Sequence, residues 1–270
     1  MTGIVTDIEN PQARESSSKR MNFVFRCISN GDLSRLQECF TNEQDPYFGL
    51  VEGKLNSFDE DGRTPTEASC IMGDADMVRF LLVKGANPNV RNKQSGKSAL
   101  DMACILGREQ IVKDLLENGA EIDLASPRGY TALHHAAAWG RLQCLKILVE
   151  FGAILSVLTT YGEKARDVAL RYKHDDCAYY LDWSEAKRGL LAVIGNMKET
   201  IEDPQKLQGK LSKDEKMTVI NLCSEKQEWL DTADHATIEA IIKNKEQLIE
   251  ALEPIQQKLL EPAPEKPHRR

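Results

Sequence analysis

The chain has 270 residues, 41% of them hydrophobic, and a formal net charge of −7; that length leaves room for more than one packed domain. The acidic balance carries no basic footprint for nucleic acid, and no apolar run approaches the length of a membrane span, so neither nucleic acid nor membrane insertion is expected. Asp7 and Glu9 stand where a secretory leader would need an apolar core, which points to a cytosolic protein.

Residues 1–20, with the polar run Ser16-Ser17-Ser18-Lys19-Arg20, read as a disordered arm. Order is expected from about residue 21. Cys27 to Leu33 contains a turn glycine, Gly31, followed by a longer linker through Pro46 and Gly53. Beyond it, Gly62, Gly96, Gly129 and Gly162 recur every 33 or 34 residues, with Gly73, Gly107, Gly140 and Gly85, Gly119, Gly152 in step. A fixed period with glycine at three phases is the mark of a stacked repeat whose units are too small to bury their own apolar faces. The expected stack is elongated.

Each unit reads as two helices. In the third, Thr131 to Ala137 runs up to Gly140, and Leu142, Leu145, Leu148 and Val149 give a second apolar face that ends at Gly152. In the first, Pro65 follows Thr64, where proline opens a helix without losing a bond. A fourth unit begins at Gly162 but carries Lys173 where the turn glycine is due. It and the segment around Gly31 read as degraded caps, since terminal repeats need a polar outer side.

These units resemble ankyrin repeats. The opening T-P-L-H of that family stands here as Thr64-Pro65-Thr66-Glu67, Ser98-Ala99-Leu100-Asp101 and Thr131-Ala132-Leu133-His134, and the second helices close in Gly85-Ala86, Gly119-Ala120 and Gly152-Ala153. The resemblance covers roughly residues 21–184. It implies that the two residues before each first-helix glycine face the open side of the stack: Ile71-Met72, Ile105-Leu106, Ala138-Trp139 and Arg171-Tyr172. The residues after the opening glycines, Arg63, Lys97, Tyr130 and Glu163, would share that face. Arg63, Ile71, Met72, Lys97, Ile105, Leu106, Tyr130, Trp139 and Tyr172 are thus the candidate partner-binding residues. An apolar row with charged flanks suits a docked peptide or helix. The alternative is that these side chains pack between adjacent repeats.

From residue 185 the pattern changes. A helix runs through Tyr179, Tyr180, Trp183 and Leu190-Leu191; Ser212 and Glu215 form a capping box that starts a second helix at Lys213, lined by Met217, Ile220, Cys223, Gln227 and Leu230. A third, from about Thr237, carries Ile238, Ile241, Lys245, Leu248 and Leu252, and Pro254 is expected to kink or end it. The runs Asn196 to Asp203 and Leu207 to Ser212, with Trp229-Leu230-Asp231, resemble the C-terminal helical lid of the seventy-kilodalton heat-shock chaperones. The ATPase domain and client-binding β-sandwich of those chaperones have no counterpart in this sequence, which ends in a Pro-rich stretch over 263–270. The expected fold is all-α: an ankyrin-repeat solenoid of three clear units plus degraded caps over 21–184, then a three-helix bundle over 185–262.

Neither nucleotide-binding nor hydrolase motifs occur, so no catalytic residue, cofactor or metal is expected. Seven cysteines without a C-x-x-C pair read as reduced core thiols. His134 is expected to hydrogen-bond to its own helix start. The pairing of ankyrin units with a lid-like bundle resembles a small group of ankyrin-repeat proteins, which implies a non-enzymatic cytoplasmic scaffold at cilia, the midbody and the cleavage furrow. Its partners would be proteins, with heat-shock chaperones or microtubule-associated proteins as candidates. Adaptor, chaperone regulator and a bundle folded back over the repeat face are the three functional expectations.

Overall fold

The computed structural model describes residues 22–203, 207, 209–233 and 236–260. The expected N-terminal arm and Pro-rich tail lie outside them. The described residues are helical throughout, without a strand, as the periodicity predicts. In order the helices are α1 (Phe23–Asn30), α2 (Leu33–Thr41), α3 (Pro65–Met72), α4 (Ala75–Val83), α5 (Ala99–Leu106), α6 (Glu109–Glu117), α7 (Ala132–Ala138), α8 (Leu142–Glu150), α9 (Ala165–Arg171), α10 (Asp175–Glu202), α11 (Lys213–Thr232) and α12 (Ile238–Leu260). They form two compact units that meet in sequence between Ala178 and Tyr179.

The first unit is a two-layer stack. The first helices pack in succession, α1 on α3, α3 on α5, α5 on α7 and α7 on α9, while α4, α6 and α8 form the second layer. Helices of seven to nine residues are too short to persist alone in water. They hold because Leu100, Leu133, Leu115, Leu145 and Leu148 are fully buried between neighbours. Small residues at the contacts, Ala103, Cys104, Ala136 and Ala137, let the first helices approach closely. All seven cysteines are buried free thiols, as expected.

The helix starts are tied down by side chains. The Thr64 hydroxyl accepts from Glu67 N at 3.2 Å and the Ser98 hydroxyl from Asp101 N at 3.1 Å. His134 Nδ1 sits 3.2 Å from Thr131 N and 2.9 Å from Thr131 Oγ1, the local bond expected of it. The same position also reaches the next repeat. Both Glu67 carboxylate oxygens accept from the Asn92 amide at 3.1 Å, and His134 Nε2 lies 3.3 Å from Glu163 O.

Between repeats the chain makes finger-like turns, and adjacent fingers are laced. Lys93 N donates to Gly62 O and Thr160 N donates to Arg128 O, each at 3.0 Å. At the intervening joint the equivalent residue is Pro127, which has no N–H to give. There the Arg91 guanidinium substitutes, donating to Gly96 O at 2.9 Å and to Ala125 O.

Two details depart from the sequence reading. The long linker before the first clear repeat is a packed part of the unit: Val51 and Leu55 are buried with Leu36, Cys39, Met77 and Leu81, and Tyr47 stacks on Phe23 at 4.0 Å. Lys173, standing where the other units have glycine, adopts the same left-handed conformation (φ 62°). Its turn is closed by the same bonds, Lys173 N to Leu170 O and His174 N to Ala169 O.

The second unit takes α10 from Tyr179 onward with α11 and α12. Ser212 and Glu215 form the expected capping box at the start of α11. The core comprises Leu190, Ile194, Met197, Val219, Cys223, Leu230, Ile241, Leu248, Leu252 and Ile255. Trp183 Nε1 donates to Ala236 O at 2.9 Å. Two expectations are corrected here. Met217 and Ile220 are exposed while Val219 is buried, so the inner face of α11 lies over Val219, Cys223 and Leu230. Of the two outcomes expected at Pro254, a kink or an end, the end does not occur: Pro254 lies inside α12, which continues to Leu260. The carbonyl it leaves without a donor belongs to exposed Glu250, where water can replace the lost bond.

Candidate functional site

Met72 and Leu106 end α3 and α5, and Trp139 and Tyr172 follow directly on α7 and α9, so the four stand at one step of four successive first helices. Packing consumes the opposite side of each helix. Met72, Trp139 and Tyr172 are left 56%, 55% and 53% exposed, and Leu106 is half-buried. Ile105 is only 8% exposed and belongs to the core, so it drops out of the apolar row; Ile71 is half-buried.

The candidates divide between two hollows. A small one of about 100 Å³ is lined by Phe25, Ile28, Asp59, Arg63, Ile71 and Met72, among others. Its Arg63 is tied at 2.8 Å to Asp59 and also pairs with Asp61, which leaves that cation engaged within its own finger. The larger hollow, about 600 Å³, gathers Lys97, Tyr130, Trp139 and Tyr172. Fingers supply Gln94, Ser95 and Lys97, then Ser126, Pro127, Arg128 and Tyr130, then Tyr161; His135 and Ala138 come from α7. Leu106 lines neither hollow.

Local bonds fix the aromatic walls. Arg171 Nη2 donates to Tyr130 Oη at 3.0 Å, lies 3.2 Å from the Glu163 carboxylate, and its guanidinium sits 5.0 Å from the Tyr172 ring centre. One arginine thus braces two of the tyrosines. The Tyr130 ring leans on His134 and His135 at centroid distances of 5.7 and 5.6 Å. His135 is held neutral: burial, helped by Lys97 and His134, pushes its imidazole down to about 4. Its Nε2 is buried without a hydrogen-bond partner.

Arg128, Tyr161 and His135 were missed from sequence. A signal existed for the first two, because the residue before each opening glycine is a finger tip, in turn Asp61, Ser95, Arg128 and Tyr161. His135 had none, since it looks like the partner of an ordinary histidine pair. Among the described residues no group of His, Cys, Asp and Glu is placed to hold a metal ion, and no helix is long and apolar enough to cross a membrane. What the hollow offers is aromatic surface, two cations and donors for hydrogen bonds.

Comparison with known proteins agrees with the geometry. A family model for ankyrin repeats in many copies matches residues 100–149, and one for the single ankyrin repeat matches 61–93. The chain is similar to ankyrin repeat domain-containing protein 45 of Homo sapiens, 34% identical over 86% of this chain and 74% of that protein. It is also similar to the proteins of the same name from Mus musculus, at 42% over 94% of this chain and 88% of that one, and from Danio rerio, at 44% over 49% and 59%.

Proposed function

Since the chain belongs to the family of ankyrin repeat domain-containing protein 45, an ankyrin-repeat protein built for protein–protein interaction, we propose that it is a non-enzymatic adaptor that seats a protein segment in the 600 Å³ hollow. The observation that carries this reading is the exposure of Trp139 and Tyr172 side by side with Tyr130 and Lys97 in that hollow. Aromatic side chains left half in water by a well-packed scaffold are the usual anchors of an interface. The nine candidate residues therefore reduce to Lys97, Tyr130, Trp139 and Tyr172 as the principal contacts, with Met72 and Leu106 extending the row.

Selection of binders from a displayed random peptide library, followed by affinity measurement, tests the reading. Trp139→Ala and Tyr172→Ala are each expected to weaken the selected peptides about tenfold or more, as loss of an interface anchor does. Unchanged binding by folded variants would remove the hollow from the adaptor.

Regulation of a seventy-kilodalton heat-shock chaperone is the second reading, supported by the lid-like runs 196–203 and 207–212 and by a C-terminal unit that closes its own core. A chaperone ATPase rate indifferent to the full chain would end it. We place the adaptor, by resemblance, at cilia, the midbody and the cleavage furrow, with microtubule-associated proteins among its partners. Imaging the tagged chain in ciliated, dividing cells tests that placement.

A further inference from the structure

The larger hollow has a one-sided chemistry. Its lining includes Lys97 and Arg128 and no carboxylate, although the chain as a whole has a net charge of −7. Of the acids around it, Glu163 is taken up by Arg171 at 3.2 Å, and Asp101, which feels the charge of Lys97, is fully buried at its own helix start. Neither Lys97 nor Arg128 forms an ion pair among the described residues. Cations gathered in a concave, partly aromatic site on an otherwise acidic protein set up a field that favours an anion there.

His135 adds a second, independent observation. Buried polar atoms are almost always hydrogen-bonded, and an exception calls for an explanation. Its Nε2 is such an exception, and the residue lines this same hollow. The groups around the ring are Lys97 from the preceding finger, His134 from its own helix and the Tyr130 ring, and none of them satisfies that nitrogen. In the tautomer with its proton on Nε2, His135 is a donor awaiting an acceptor.

We infer that the occupant of the hollow is an acidic peptide segment, with an Asp or Glu carboxylate held by Lys97 and Arg128 and, once its ring turns out from its buried position, by His135 Nε2–H, and a neighbouring apolar side chain lying on Trp139 and Tyr172. The inference rests on the adaptor reading and names its partner's chemistry. The carboxylate supplies the charge the two cations lack and the acceptor His135 lacks, while the apolar neighbour covers aromatic surface that packing leaves wet. Charge sets orientation and register, and the ring contacts supply the affinity.

The experiment uses the full chain and a random twelve-residue peptide library. The expected result is enrichment of Asp or Glu beside an aromatic or aliphatic residue. The double variant Lys97→Glu, Arg128→Glu should lose those peptides and select Lys or Arg instead. His135→Phe, which keeps a ring of similar size and removes the donor, should weaken an enriched peptide roughly five- to tenfold, the scale of one charge-assisted hydrogen bond. Peptides that need Trp139 but show no preference for acids would overturn the inference and leave the adaptor intact. Failure to enrich any peptide would sink both. A concentration-dependent dimer abolished by Trp139→Ala would seat a second copy of the chain in the hollow and also refute the acidic occupant.

Discussion

The repeat stack and the C-terminal unit are both all-helical, yet they distribute information differently along the chain. In the stack, most helices of seven to nine residues end on glycine turns, and a residue's environment follows from its phase in a 33-residue period. In the second unit, helices of 28, 20 and 23 residues assemble a core from Leu190, Val219, Leu248 and other positions without a common period. A periodic architecture thus writes its surface into the sequence almost as plainly as its core. An aperiodic bundle writes its core less plainly, since the inner face of α11 lies over Val219 and not over Met217 and Ile220.

The strongest way to break this contrast is a core truncation in the second unit. Leu248→Ala should cost about 3 kcal/mol, since a fully buried leucine loses its transfer energy and leaves a cavity. Hydrogen exchange should show faster opening confined to α10–α12; equal loss of protection in the repeats would show the two units melting as one. In the stack, a glycine should matter nearly as much. Gly129 has φ 77°, and a Cβ there would lie 2.9 Å from Thr159 Cα and Thr160 N, backbone atoms of the next finger. Gly129→Ala should therefore destabilise by roughly 2 kcal/mol, strain and crowding together, as read by denaturant titration.

Smaller effects sharpen the comparison. Lys173→Gly replaces a side chain held in a left-handed turn, and the relief, offset by the looser unfolded chain, should leave a gain of about 0.5–1 kcal/mol in midpoint analysis. A neutral or destabilising result would mean that the lysine has a compensating contact. Glu67 gives a pH-dependent effect. Burial raises its carboxyl from 4.5 to about 7, so the folded state holds the proton more tightly than the unfolded one. Its contribution is fully present below about pH 4.5 and is lost as pH rises through 7. Asp101, raised to about 6, acts in the same direction, and His135, lowered to about 4, acts oppositely. Glu67→Gln should flatten the fall in stability between pH 5 and pH 7 relative to the parent; an unchanged slope would show that Glu67 is ionised throughout.

Much of this was legible beforehand, for reasons that differ by region. Glycines at fixed phase, the helix-opening Thr64, Ser98 and Thr131, and the Ser212–Glu215 box are local signals, and each marks a real helix boundary. The apolar row was visible because phase alone selects it, although phase could not tell that Ile105 turns inward while Met72 remains wet. Packing partners decide such matters, and they lie a repeat away. The face of α11 was misjudged for the same reason: Met217 and Val219 are near neighbours in sequence, and only the position of the other helices selects between them. The segment between α2 and α3 gave no periodic signal because it contributes single side chains, Val51 and Leu55, to a core built by others.

Pro127 has one more consequence. The fingers that carry Ser95 and Lys97 on one side and Arg128 on the other are joined by the long, rotatable side chain of Arg91, where the joints before and after use stiff amide-to-carbonyl links. A seam fastened by a jointed arm yields more readily than one stitched through the main chain. For the adaptor proposed above, that seam is where the walls of the cleft would part first, while the helices behind them keep their registry.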